Sequence, residues 1–226
     1  VNGVSNCMPL EPITGENVIP LFAVPVCQTR IEPQSSVIVD YLLNKLEYKR
    51  LIYSNAKNSA GLFVLDDPIC RPLKDALTNR LKDFLHGFLD VDVKHEFRIN
   101  TSWMNQYLDT DYSGEHYHSN SLISGVLYLS DVEDTGDIVF HKDKHWTNVF
   151  PDVVRIDYNF NPDKFNVFNA QGWSLRPKKW DVVFFPSWLT HSVQTNKSNP
   201  KKERYSLAFN TWVSGKVGDS TSTLVL

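Results

Sequence analysis

The sequence predicts an α+β fold, with supporting helices first and a β-barrel or sandwich at the centre. Three observations carry this reading. Apolar residues recur at helical spacing only before Asp92; from Asp92 the period is two; and Gly, Asp, Asn and Pro punctuate the later gaps as turns require. Helices followed by many strands is the order of an α+β domain built on a β core.

The elements follow in order. Leu21 to Val26 is a short apolar run between prolines, read as a first strand. Pro33-Gln34-Ser35-Ser36 offers helix-starting residues ahead of Ile38, Leu42 and Leu46 at helical spacing. A stronger helix is expected from about Pro72 to Leu89, where Leu73, Leu77, Leu81 and Leu85 recur every four residues and Ala76, Phe84 and Phe88 widen the stripe. Val93, His95, Phe97, Ile99, Thr101, Trp103, Asn105 and Tyr107 then share one parity, as on a long half-buried strand. Further strands are expected at Leu122–Ser130, Asp137–His141, Gly172–Arg176, Asp181–Pro186 and Arg204–Val213. Between His141 and Ala170 lies a long segment rich in Asn, Asp and aromatics, of a length that inside a compact domain usually signals a lid or binding loop.

Composition narrows the class. A chain of 226 residues suits one large domain, and its net charge of −3 gives no basic surface for nucleic acid. No apolar run approaches the roughly 18 residues that span a bilayer. Val1 to Pro20 is polar and interrupted by Gly and Pro, unlike a signal peptide, and since Val rather than Met stands first, upstream residues are expected. Cys7, Cys27 and Cys70 are widely spaced without a Cys-x-x-Cys pair, which argues against a disulfide framework or thiolate zinc site and fits thiols in a reducing cytoplasm.

The chemistry concentrates in a few residues. His116 and His118 stand one residue apart, so on a strand they share a face, while Tyr117 points away. His191 arrives from a distance, at the far end of the continuous apolar strand Val182-Val183-Phe184-Phe185 and the turn after Pro186. Any one of these histidines alone could be a satisfied surface or core residue, or in the case of His191 a turn cap. Together they form one face of a metal site, and imidazole suits Fe, Zn, Cu or Ni alike. Arg204 heads a buried strand on which Ser206 shares its face. A buried cation must be paired: a ligand carboxylate would serve, with Ser206 as a further donor, and Glu133 or Asp137 is the alternative within the protein. Asn105 and Tyr107 fall on the apolar side of their strand if its alternation runs without a bulge, either lining a cavity or forming a buried bonded pair.

Taken together these residues resemble the Fe(II)/2-oxoglutarate-dependent oxygenase superfamily over roughly Val93 to Val213. Asn105-Gln106-Tyr107 is similar to the Asn-x-Tyr segment before the first ligand in the alkyl-demethylase branch. Gly136-Asp137-Ile138-Val139-Phe140 resembles a strand of prolyl-hydroxylase-like members. Trp180-Asp181 through Phe185-Pro186-Ser187 resembles the strand before the distal histidine. Ser124-Gly125-Val126-Leu127-Tyr128-Leu129 after His116-x-His118 resembles a group of 2-oxoglutarate/iron oxygenases of marine bacteria and their phages. One departure stands out: His118 occupies the position where most of the superfamily has Asp or Glu, and Glu115 has the wrong parity to replace it.

The resemblance implies a double-stranded β-helix (jelly-roll or cupin-like) core at 92–214, supported by the N-terminal strand and helices of 1–91 and followed by a tail at 215–226, all one oxygenase domain. It implies Fe(II) on His116, His118 and His191, 2-oxoglutarate held at Arg204 and Ser206 with Asn105 and Tyr107 lining the cavity, and hydroxylation of an unactivated C–H bond with succinate and CO2 as co-products. Expected partners are a small-molecule or peptidyl substrate and molecular oxygen; a homodimer is compatible, and neither nucleic acid nor membrane is expected. The rivals are a three-histidine iron dioxygenase that does not use 2-oxoglutarate and a non-catalytic cupin-like module. Trp146, Phe150, Tyr158, Phe160, Phe165 and Phe168 are expected to close over the iron cavity as a lid.

Overall fold

The computed structural model describes residues 21–50, 55–130, 135–142, 161–198 and 201–226. The chain enters through β1 (Cys27–Arg30), not through the expected strand at Leu21–Val26. Pro25 has no N–H to give a ladder, so Val24 and Val26 contribute only apolar packing. The first helix, α1 (Ser36–Asp40), is capped by Ser35, whose Oγ accepts from the Ile38 amide, and widens into a π-turn over Tyr41–Lys45. A hairpin the sequence reading missed follows as β2 (Tyr48–Arg50) and β3 (Lys57–Ser59). The second helix, α2 (Arg71–Lys82), also continues as a π-turn to Phe88. Its stripe of Leu73, Leu77 and Leu81 is fully buried, whereas Phe88 is exposed and stacks on Phe84, because the widened turn swings it off the stripe.

The strands form two sheets. The larger has the order β1-β9-β6-β11-β4-β3-β2, with β4 at Glu96–Tyr107, β6 at Ile123–Tyr128, β9 at Asp181–Pro186 and β11 at Arg204–Ser214. The smaller has the order β5-β10-β7-β8, with β5 at Ser113–His116, β7 at Ile138–His141, β8 at Gly172–Leu175 and β10 at His191–Val193. A short pair, β12 (Lys216–Val217) and β13 (Leu224–Val225), closes the chain. All strand pairs named here are antiparallel. No helix among the described residues is long and apolar enough to cross a membrane.

The expected single parity from Val93 to Tyr107 does not hold. Asn210 pairs with Thr101 but Thr211 pairs with Ile99, so Asn100 is an extra residue, a bulge that swaps the faces of β4. Ile99 therefore lies with Met104 in the core against the helices, while Trp103, Asn105 and Tyr107 turn to the opposite face, toward the smaller sheet. The helix-facing layer also takes Leu127, Phe184, Leu207 and Phe209. A second apolar layer, with Ile138, Phe140, Val183 and Phe185, fills the space between the sheets.

Gly125 illustrates how tightly the helix-facing layer is filled. It pairs with Phe209, and a Cβ on Gly125 would collide with the Phe209 ring, itself fully buried against Phe184. Gly125→Ala is expected to destabilise the fold by about 1–3 kcal/mol through overpacking, read as a lowered urea midpoint. An unchanged midpoint would mean that the Phe209 ring moves aside freely.

Candidate metal centre

The floor of the site is the inward face of the larger sheet. Ser206 stands between Asn105 and Tyr128, and Ala208 between Trp103 and Val126, because residues paired across antiparallel strands share a face. Arg204 is paired with Tyr107 at the end of this row. The smaller sheet faces it, with His191 directly opposite His116 on one side and Phe140 on the other.

The three histidines converge. Ring centroids are 4.3 Å apart for His116 and His191, 5.1 Å for His118 and His191, and 5.3 Å for His116 and His118. One ligand nitrogen from each lies within 4.8 Å of the others, the spacing of a metal-binding group. Second contacts set the tautomers. His191 Nδ1 lies 2.9 Å from the Leu189 carbonyl and His116 Nδ1 2.8 Å from the Gly114 carbonyl. Carbonyl oxygens only accept, so each Nδ1 carries the proton and each Nε2 keeps a lone pair for a metal. The His118 amide donates to the Ser187 carbonyl at 2.9 Å, which ties the loop after β5 to the turn before β10.

Electrostatics favour ligation over protonation. Burial, helped by the neighbouring His116, lowers His118 to about 4 and His191 to about 3. Both are neutral near pH 7 and need lose no proton to bind a metal. Glu115, the nearest carboxylate in sequence, points to the other face, where it lies 3.6 Å from His141 Nδ1. The donor set among the described residues is thus three imidazoles, a borderline set that accepts Fe, Zn, Cu or Ni.

Arg204 lies at the far end of the same face, 3 % exposed. Its Nη1 donates to the Gly136 carbonyl at 2.6 Å, and its guanidinium sits 5.2 Å from the ring centres of both Tyr107 and Tyr128. Asp137, one of the two carboxylates considered for it, is engaged instead by Arg176 at 2.8 Å; the other, Glu133, lies outside the described residues. The Tyr128 hydroxyl, buried beside this cation, has no hydrogen-bond acceptor among the described residues, and burial pushes its pKa up to about 12. Ser206 accepts from Asn105 Nδ2 at 3.4 Å, which leaves its own O–H to donate. Asn105 and Tyr107 are not bonded to each other: Asn105 Oδ1 accepts from Asn58 and Trp103, and the Tyr107 hydroxyl meets Ser113. Sequence reasoning missed Tyr128, which follows Ser124 and Val126 at period two, and Gly136, whose φ of +95° and close approach to the Gln194 carbonyl leave no room for a Cβ. Of the expected lid, Trp146, Phe150, Tyr158 and Phe160 lie outside the described residues.

Comparison with known proteins agrees with this geometry. Residues 101–210 match the model of a family described as "Putative 2OG-Fe(II) oxygenase". The search of curated proteins returned no match. Among solved structures, the fold is similar to an oxidoreductase of the 2OG-Fe(II) oxygenase family from Burkholderia pseudomallei, at a TM-score of 0.53 and 15% identity over 76% of each chain. It is similar to HygX from Streptomyces hygroscopicus with nickel, 2-oxoglutarate and hygromycin B bound, at 0.53 and 13% over 83% of this chain and 82% of that one. It is similar also to a prolyl-4-hydroxylase from Pseudomonas putida, at 0.51 and 16% over 84% of this chain and 92% of that one. At such identities the likeness is one of fold: the jelly roll, or double-stranded β-helix.

Removing a ligand should separate site from scaffold. His191→Ala is expected to abolish stoichiometric Fe(II) binding in an anaerobic titration while the protein stays folded, with stability lowered by about 1–3 kcal/mol because the buried ring packs on Phe140 and Phe185. His118→Asp is expected to keep Fe(II), since carboxylate and imidazole both suit it. Complete loss would show that the shorter acid cannot reach.

Proposed function

We propose that this chain, a member of the Fe(II)/2-oxoglutarate-dependent oxygenase superfamily and so an oxidoreductase, hydroxylates an unactivated C–H bond of its substrate. The balanced reaction takes R–H, O2 and 2-oxoglutarate to R–OH, succinate and CO2. The observation that carries the proposal is Arg204: a buried cation on the same inward face as three clustered histidines, with no carboxylate of the described residues within 4 Å.

Each residue has a part in the proposal. His116, His118 and His191 hold Fe(II), two of them through Nε2 because their Nδ1 protons are committed to backbone carbonyls. Iron bound there would supply the one-electron chemistry with oxygen that side chains lack. Arg204 binds the distal carboxylate of 2-oxoglutarate, with Ser206 and the Tyr128 hydroxyl as further donors. A carboxylate is the ligand such a cluster of donors asks for, since it offers about four acceptor sites. Tyr107 and Tyr128 flank the guanidinium, hold its plane and keep water from it. The Gly136 carbonyl takes one of its five N–H groups and so orients the rest. Asn105 braces Ser206 from β4.

His118 favours a second reading. Three neutral ligands place one negative charge fewer on the metal than two histidines and a carboxylate would, as in dioxygenases that bind their substrate directly and need no 2-oxoglutarate. Anaerobic Fe(II) titration with and without 2-oxoglutarate separates the two: a metal-to-ligand charge-transfer band appearing only with the co-substrate supports the first reading. Its absence, with no succinate released under oxygen, supports the second. Arg204→Ala is expected to weaken 2-oxoglutarate by at least about 2 kcal/mol, the usual cost of removing one partner of a buried charge pair. Arg204→Lys should be impaired too, because a point charge cannot reproduce the planar fork. A loss under about 0.5 kcal/mol in the alanine variant, the scale of a screened surface pair, would place the carboxylate elsewhere.

A further inference from the structure

We infer that Trp173 and Phe165 form a binding shelf for a flat aromatic ring of the substrate, about 10 Å from the metal site; the inference rests on the oxygenase reading of the three histidines. Register is its foundation. His116 pairs with His191, His191 with Phe140, and Phe140 with Trp173, so all four side chains stand in one row on the inward face of the smaller sheet. Strands lie about 4.8 Å apart, which puts Trp173 two spacings, about 10 Å, from His191.

Burial changes abruptly along that row. Phe140 is 6 % exposed and packs on Phe185 and His191, with ring centroids 5.0 and 6.2 Å away. Trp173, next to it on the edge strand, is 41 % exposed, and Phe165 is 52 % exposed while stacked on Trp173 at 5.1 Å and 33°. Two aromatic rings in contact, level with the three histidines and left partly exposed, make a platform with an open side among the described residues.

The chemistry of its surroundings selects the ligand class. The polar side chains that brace the shelf are turned into the loop, each with hydrogen bonds of its own. Asn166 Oδ1 accepts from the Phe168 and Asn169 amides, and its Nδ2 donates to the Lys164 carbonyl. Asn169 Oδ1 accepts from the Asn166 amide, and its Nδ2 donates to the same Lys164 carbonyl. Lys142 Nζ is held by the Phe168 carbonyl at 3.0 Å. The shelf itself is two ring faces, and on these a flat aromatic ring gains stacking contact over its whole area without needing a hydrogen bond. These same bonds fix Phe165 before any ligand arrives, so little ordering entropy opposes stacking.

Paramagnetic relaxation in NMR tests the inference. Mn(II) is loaded at the three histidines, and the probes are N-acetyltryptophanamide, methyl glucoside and cyclohexylmethanol. The aromatic probe should bind best, with its ring protons relaxed as at a distance on the order of 10 Å. Trp173→Ala and Phe165→Ala should each weaken it at least about fivefold, the scale of one lost aromatic contact, while Trp173→Phe keeps most of the affinity and Mn(II) binding is unchanged in all three. Equal binding in both alanine variants, preference for the glucoside or cyclohexyl probe, or no relaxation of the bound ring would overturn the shelf. If the parent protein fails to bind Mn(II), the metal reading falls, and shift changes in metal-free protein with and without Trp173 still decide the stacking.

Discussion

His191 faces His116 across the ladder between β10 and β5, and the rest of the centre depends on that pairing. Paired residues of antiparallel strands hold their Cβ atoms about 5 Å apart on one face, so a single register places two ligands without help from loops. The ladder is irregular here: Val193 pairs with Ser113, so β5 carries one residue more than β10 over the same span. Such a bulge re-aims side chains. It gives His116 the Gly114 carbonyl as partner and leaves Glu115 on the outer face with His141. Because the carboxylate is directed outward, the metal face is made of imidazoles alone.

A second irregularity, the bulge at Asn100, does comparable work in the larger sheet. One extra residue turns Trp103, Asn105 and Tyr107 away from the helices and into the cavity, while Ile99 and Met104 keep the apolar layer against α1 and α2 continuous. The same strand thus serves the core on one face and the site on the other. Trp103 ends up 5.7 Å from the His118 ring, and Asn105 links β3, β4 and β11 through Asn58 and Ser206.

Charge is distributed along the cavity with the same economy. At the metal end burial holds His118 and His191 neutral, and the opposite end carries the Arg204 cation between two tyrosine rings. Ala208, the residue in register with Trp103, lies four positions beyond Arg204 on β11, or about 13 Å at 3.3 Å per residue. Three imidazoles at one end and, among the described residues, a buried cation without a carboxylate partner at the other are the charge pattern on which the proposed co-substrate placement rests.

The amino-acid sequence by itself determined the helices, through leucines at every fourth position, and most strands of the larger sheet, through apolar runs bounded by Pro, Gly and Asp. It also determined which residues could carry chemistry, because His116, His118, His191 and Arg204 are legible from residue type and parity alone. Tertiary structure decided the rest, for physical reasons that local pattern does not encode. A bulge is a mismatch between two strands, so the side to which Asn105 and Tyr107 turn was settled by the partner β11 and not by β4. β5 and β10 are short and mostly polar, without an apolar period, and exist as strands because they pair with each other and with β7. Tyr128 joined the site only through its register with Ser206, and Gly136 only because its carbonyl meets an arginine 68 residues away.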